Sequence, residues 1–437
     1  MRTLLISANR EPFPEAVFPV GLVYIAQALL NHGVKVKIFD MRHHFSFHSL
    51  KKVLRTFCPD VIGVSLRNVD NAAYPCVRFY LPYYLSIVKA IRSVSQAPII
   101  LGGSGFSLFP EEMMELMDGD AGIKGEGERS FVRLMRGNSR KIITGEYCDL
   151  NDIRVPENLD EIFPYFKKYR TIGVQTARGC NNRCIYCTYP VLEGRRHRKR
   201  SPGTVAEEIS MFYKKYGKRN FFIVDSVFNG DERHMVDVLE GLAGMNLPIR
   251  FSVYLQPKIS DLSIFPLLKR AGCVAVDFGT DAGSPDMLAS MKKSFTVEDV
   301  RRSSLACRNA GIDSCHSLIF GGPGETPETI RESVRLMDEI SPMAVIAMTG
   351  IRIYRETEIE RIAQKEGFIS SESSLVIPQF YFPAMGGSSL MEETARNAAG
   401  RKNWFFPGKK YRNSSVGYRM LQYVYRRGPL WRTFKFR

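Results

Sequence analysis

Three cysteines carry the clearest chemistry in the sequence. Cys180, Cys184 and Cys187 stand at C-x3-C-x2-C spacing within Ala177-Arg178-Gly179-Cys180-Asn181-Asn182-Arg183-Cys184-Ile185-Tyr186-Cys187. A zinc site usually takes four protein ligands, commonly as two close pairs. No fourth Cys or His follows at short spacing, and the nearest histidine is His197. Three thiolates suit a cubane iron–sulfur cluster that leaves one iron free to bind something else.

Stepping outward from the triplet, residues 170–366 repeat an α/β unit. Candidate strands lie at 171–176, 220–224, 250–254, 275–278, 314–320 and 344–353. The clearest helices lie at 204–216, 234–244, 297–310 and 327–340. Six such units predict a partial (β/α)6 barrel with its chemistry at the carboxyl ends of the strands, and the triplet directly follows the first of them. Residues 1–140 alternate in the same way, with strands at 2–8, 34–40, 61–66, 98–101 and 121–124. Helices are expected at 20–31, 48–57, 80–95 and 110–118. This is the pattern of a Rossmann-like, doubly wound α/β domain, in which ligands sit beyond the carboxyl ends of the strands. Gly102, Gly103, Gly125 and Gly127, with Glu126 between the last two, fall at such ends, where glycine lets the backbone approach a phosphate-bearing cofactor. Residues 141–169 read as a linker and 367–437 as a small basic, aromatic C-terminal domain.

Composition bounds these readings. A chain of 437 residues, 44% apolar and 24% charged, is long enough for several cored domains and is neither disordered nor disulfide-stapled. Nine cysteines, an odd number, fit an intracellular protein, and no run is long and apolar enough to cross a bilayer, so a cytoplasmic location is expected. Of the net charge of +16, residues 401–437 supply +11, through eleven Lys or Arg and no Asp or Glu. Aromatics interleave with these cations, at Trp404-Phe405-Phe406 and Trp431-Arg432-Thr433-Phe434-Lys435-Phe436-Arg437. That pattern suits peripheral contact with an anionic membrane face, or a solvated surface closing the barrel bottom; a nucleic-acid partner is disfavoured.

The triplet and its placement resemble the radical S-adenosylmethionine (radical SAM) superfamily. Further segments are similar: Arg200-Ser201-Pro202 with Val205–Ile209 after the cluster loop, Phe222–Asn229 at the second strand, Phe278–Ser284 at the fourth, Gly321-Gly322-Pro323-Gly324-Glu325-Thr326, and residues 348–354 at the sixth. Ser226 stands where a second Asp is usual, Asp281 where Glu is more common, and Arg355 where Pro is usual. The resemblance implies a [4Fe-4S] cluster on Cys180, Cys184 and Cys187. Its open iron would chelate S-adenosylmethionine, and one electron from a reductant such as flavodoxin or ferredoxin would release a 5′-deoxyadenosyl radical. It places Tyr186 beside the adenine, Asp225 and Ser226 toward the amino end, and Asp281 and Ser284 near the ribose. Glu325 fits a helix-capping role as well as a binding one.

The first domain resembles the cobalamin-binding domain of the B12-dependent branch, through residues 7–33 and Ile62-Gly63-Val64-Ser65-Leu66-Arg67-Asn68. The pair of domains most resembles a lipid-biosynthesis B12-binding/radical SAM group. Many such domains carry a cobalt-ligating His after the first strand, and Asn9-Arg10-Glu11-Pro12-Phe13-Pro14 has none. Cobalamin is therefore expected without a protein His ligand, with Ser65, Arg67 and Asn68 beneath the corrin. His43, His44 and His48 fit a solvated loop or helix start. Cys58, Cys76, Cys148, Cys273, Cys307 and Cys315 fit core packing. The implied reaction is methylation of an unactivated carbon on an apolar or lipid-like small molecule. The alternatives are radical cyclisation or rearrangement without net methylation, and a non-catalytic iron–sulfur electron-transfer or sensing protein. An RNA methylthiotransferase would need a second cluster, for which Cys58, Cys76 and Cys148 lack compact spacing.

Overall fold

The structure, a computed structural model, describes residues 1–11, 16–44, 46–135, 141–407, 429, 431 and 432. Its first sheet contains β1 (Arg2–Ser7), β2 (Lys35–Asp40), β3 (Val61–Ser65), β4 (Ile99–Gly102), β5 (Ala121–Lys124) and β6 (Ile142–Thr144), all parallel, in the order β2-β1-β3-β4-β5-β6. The strands are short apolar runs buried on both faces, as a sheet covered by helices on each side requires. Helices α1 (Val20–Leu30), α2 (Phe47–Phe57), α3 (Leu81–Arg92), α4 (Ser104–Leu108), α5 (Pro110–Met117) and α6 (Glu128–Met135) supply that cover. The order reverses between β1 and β3, and the crevice beyond their carboxyl ends is where such sheets bind ligands.

The sequence pattern predicts five strands here, and the structure has six. β6 falls inside the expected linker 141–169 and extends the sheet; three residues are too short a run to show periodicity. The rest of that linker is packed, with Phe163 and Phe166 fully buried.

The second sheet is an open partial barrel. Strands β7 (Thr171–Val174), β8 (Asn220–Ile223), β9 (Arg250–Leu255), β10 (Cys273–Asp281), β11 (Asp313–Phe320) and β12 (Ala344–Thr349) follow one another in order and in parallel. A seventh strand, β13 (Trp404–Phe405), pairs with β12. The main helices are α7 (Pro202–Tyr216), α8 (Glu232–Gly244), α9 (Ile264–Arg270), α10 (Pro285–Ser290), α11 (Val297–Asn309), α12 (Pro327–Ile340), α13 (Glu358–Lys365) and α14 (Gly386–Asn397). Local chemistry fixes their starts: Ser201 caps α7 through the Thr204 N–H, with Pro202 in the first turn, and Thr296 with Asp299 closes a capping box on α11.

Part of the segment expected as a separate domain at 367–437 joins the barrel. β13 extends the barrel sheet, Leu390 of α14 is fully buried, and Arg401 pairs with Asp338 of α12. Most of the basic tail lies outside the described residues. Among its described aromatics, Trp404 and Trp431 are only 7% and 5% exposed and pack on the barrel, while Phe405 and Phe406 are partly buried. No described helix is long and apolar enough to cross a membrane.

Register divides the barrel strands into two faces. Val174, Ile223, Val253, Val276 and Leu318 lie on the outward face, fully buried under the helices. On the inward face Phe222, Tyr254, Ser317, Ile319, Ile346 and Met348 keep part of their surface accessible. The barrel is therefore hollow. The two domains also share one core: Phe18, just before α1, packs against Phe163, Tyr169 and Phe212 of α7, with ring centroids 5.6–6.3 Å apart.

Candidate active site

The cysteine loop leaves β7 through a clasp in which Ala177-Arg178 pairs antiparallel with Arg198-Lys199. Gly179 opens the loop at φ +92°, where a Cβ would sit 2.2 Å from the Arg196 carbonyl oxygen. The Gly179 N–H donates to the Glu193 carboxylate (3.0 Å) and the Cys180 N–H to the Gly194 carbonyl (3.1 Å). Gly179→Ala is therefore expected to cost at least about 1–2 kcal/mol from the left-handed conformation alone. It should also lower iron retention, measurable as iron per chain after anaerobic loading.

Cys180 is buried, and Cys184 and Cys187 are partly so. Burial raises the pKa of all three thiols, that of Cys187 to about 12. Such thiols ionise only beside a strong cation, which iron would provide. Among the described residues the only three metal-ligating atoms within 4.8 Å of one another belong to Glu126, Glu128 and Cys148.

Tyr186, between the last two cysteines, donates its hydroxyl to Asp281. Asp281 ends β10 at φ +63° and pairs with Lys293, 2.5 Å away, the two side chains being 5% and 7% exposed. Lys293 also reaches the Tyr186 hydroxyl at 3.4 Å. Burial opposes its charge, but Asp281 and the neighbouring cysteines overcome this and hold its pKa up. Nearby, the Ser284 hydroxyl is buried without a partner, and a Cβ on Gly279 would meet open space. An orphaned donor and a vacant cradle beside an ion pair fit a polar ligand such as S-adenosylmethionine.

Asp225 and Ser226 are committed differently. The Asp225 carboxylate accepts from the Thr176 N–H (2.7 Å), the Ala177 N–H (3.1 Å) and the Thr176 hydroxyl. Burial still lifts its pKa to about 7. Ser226 donates to the Gly179 carbonyl at 3.4 Å. Both tie the start of the cysteine loop to the end of β8. Glu325 likewise accepts from the Gly321 N–H and the Thr329 hydroxyl, closing its own glycine loop.

At the carboxyl edge of the first sheet, Ser65, Arg67, Asn68, Gly102, Gly103 and Gly125 line the ends of β3, β4 and β5. Gly103 (φ +95°) needs its missing Cβ, which would lie 2.8 Å from the Leu66 carbonyl oxygen. Gly102 and Gly125 face space that a Cβ would only begin to fill, with nothing nearer than 3.8 Å. That shelf fits a broad planar group. Two expected shelf residues serve packing instead. Gly127 admits Ile25 of α1, whose Cδ1 would be 2.7 Å from an added Cβ. Glu126 pairs with Arg178 (3.1 Å) and Arg198, the two arginines of the cysteine-loop clasp. Arg178 also binds Glu128 at 2.6 Å.

This network joins shelf to cluster loop, and sequence reasoning missed it, along with Lys293 and the buried pair Arg352–Asp70 (2.9 Å). Each joins residues far apart in the chain, and no local spacing marks them. The histidines, expected in a solvated loop or helix start, divide: His48 is exposed in α2, while His43 stacks on Tyr165 and His44 on Phe39.

Residues 174–337 match the Radical SAM superfamily, and residues 7–135 match the B12 binding domain. The chain thus carries a radical SAM domain preceded by a B12-binding domain. Its relatives include an uncharacterised methyltransferase of Pyrococcus horikoshii, 25% identical over 74% of this chain and 73% of that protein. A tryptophan 2-C-methyltransferase of Streptomyces laurentii is 23% identical, over 80% and 72%. An anaerobic magnesium-protoporphyrin IX monomethyl ester cyclase of Rubrivivax gelatinosus is 24% identical, over 87% and 72%. Among solved structures, the radical S-adenosylmethionine methyltransferase TsrM from Kitasatospora setae, with cobalamin and [4Fe-4S] cluster bound, shares the fold. It has a TM-score of 0.83 at 21% identity, covering 100% of this chain and 97% of that one. None of these similarities singles out the lipid-biosynthesis group.

Proposed function

We propose that this enzyme is a cobalamin-dependent radical SAM C-methyltransferase acting on an apolar small molecule. The observation that carries this reading is the Glu126–Arg178–Arg198 network, which ties the open glycine shelf to the three-cysteine loop at the mouth of the barrel. When bound, a [4Fe-4S] cluster with S-adenosylmethionine would supply a 5′-deoxyadenosyl radical, and cobalamin a carrier for the methyl group. Cys180, Cys184 and Cys187 would hold the cluster. Tyr186, Asp281, Lys293 and Ser284 would orient S-adenosylmethionine, the ammonium matching a carboxylate and the buried hydroxyls matching polar edges. Ser65, Arg67, Asn68, Gly102, Gly103 and Gly125 would hold the corrin without a His ligand.

The inward-facing Phe222, Tyr254, Ile319, Ile346 and Met348 support an apolar substrate, and their shielding of the hollow from water would protect a reactive radical. A one-electron donor such as flavodoxin or ferredoxin completes the system. Anaerobic incubation of the reduced, cofactor-loaded protein with S-adenosylmethionine tests the reading. Methyl transfer predicts S-adenosylhomocysteine alongside 5′-deoxyadenosine. Cyclisation predicts 5′-deoxyadenosine without S-adenosylhomocysteine, and a sensing protein predicts neither.

A further inference from the structure

The inward face of the barrel also has a floor. Register places Ala275 of β10, Cys315 of β11 and Ala344 of β12 on that face near the amino ends of their strands. Packed against them is Trp431, 5% exposed, forming with them a small cluster separate from the two main cores. Arg432 donates to Asp313, the first residue of β11, at 2.6 Å, with both side chains largely buried. An indole wedged among two alanines and a cysteine fits because those three side chains are small. The ion pair beside it fixes the segment to the strand that bears Cys315.

We propose that Trp431 and Arg432 plug the amino-terminal mouth of the barrel and form the floor of the substrate hollow, so that this segment limits how long a substrate the barrel accepts. From Cys315 at the floor to Ile319 near the rim is four residues of β11, a depth of about 13 Å at roughly 3.3 Å per residue. Asp277 and the 38% exposed Tyr254 stand in the same register row as Cys315, Tyr254 with its ring edge-on to Phe222 at 4.9 Å. The inward wall is apolar at Phe222, Ile319, Ile346 and Met348 and polar at Tyr254, Asp277 and Ser317. The length limit rests on the proposed methyl transfer; the plug does not.

Cys315 gives a readout that needs no substrate. It is fully buried beneath Trp431, whereas Cys273 and Cys307 are fully buried in the outer core under the helices and report on folding. N-ethylmaleimide labelling of the full, cluster-loaded chain, mapped by peptide mass spectrometry, should leave all three unmodified. In Trp431→Ala, Cys315 alone should become reactive, its labelling rate rising at least about tenfold as local opening exposes it. In Trp431→Phe, which keeps a ring in the plug, it should stay protected. Protection of Cys315 in a folded Trp431→Ala protein, or its labelling in the parent, would overturn the proposal. If Trp431→Ala also unmasks Cys273 and Cys307, Arg432→Ala decides. A rise of several-fold at Cys315 alone supports the plug, and no rise refutes it. Because none of these readings depends on turnover, a working plug and a failed methyltransferase assay can be told apart.

Discussion

Replacing Cys180, Cys184 and Cys187 together with alanine is expected to abolish 5′-deoxyadenosine formation, not merely slow it. The loop carries only these three cysteines. The next cysteine, Cys148, lies in the first domain with its thiol near Glu126 (3.6 Å), and Cys273, Cys307 and Cys315 are fully buried elsewhere. The loop itself should survive, because its shape comes from Gly179, the Glu193 carboxylate, the Gly194 carbonyl and the Ala177-Arg178/Arg198-Lys199 clasp, none of which uses a thiol. The variant should therefore remain folded by circular dichroism while losing its iron and its turnover. Product formation by this variant at the parent's rate would mean that the cluster is held elsewhere.

The second large effect is on stability. Glu126→Ala removes the carboxylate shared by Arg178 and Arg198, whose side chains are 7% and 14% exposed. Arg178 keeps Glu128, so the loss falls mainly on Arg198; stranding a buried guanidinium costs about 3–5 kcal/mol, much more than losing a surface pair. Urea unfolding should show that loss, and hydrogen exchange should show it concentrated in the cysteine loop and β5. Pairing Glu126→Met with Arg198→Met should recover part of it, since the second change removes one of the stranded charges. The same pair carries a pH signature. Burial opposes ionisation of Glu126, but Arg198 and Arg178 win and hold its pKa below the ordinary carboxylate value of 4.5. The folded state thus binds the proton less readily than the unfolded chain. The contribution is complete above pH 4.5 and disappears as the pH falls through the depressed folded value. A Glu126→Ala protein as stable as the parent would remove the network from the account.

Much of this organisation was legible in the sequence because it is local. The C-x3-C-x2-C triplet, the six barrel strands, and helices such as Pro327–Ile340 with Thr326 as cap follow from spacing, periodicity and capping. What escaped is what tertiary structure alone creates. The strands Ile142–Thr144 and Trp404–Phe405 are too short to show a pattern, and exist because a neighbouring strand offers an unpaired edge. Asp225 stands at a strand end in sequence, and only the fold brings Thr176 and Ala177 onto its carboxylate. Glu126 looks like part of a glycine shelf, and becomes an interdomain pin only when Arg198, seventy-two residues away, folds against it. Lys293 reaches Asp281 only because α10 turns the chain back over the end of β10.

The central claim is that one chain holds both a three-cysteine cluster and a corrin. Metal and cofactor analysis of the full chain after anaerobic reconstitution with iron, sulfide and cobalamin tests it most directly. The account predicts about four irons and about one corrin per chain, the irons lost in the triple cysteine variant and the corrin retained there. A cluster without corrin would leave a radical SAM enzyme with an idle first domain and would contradict methyl transfer through cobalamin. No cluster at all would contradict the account at its root.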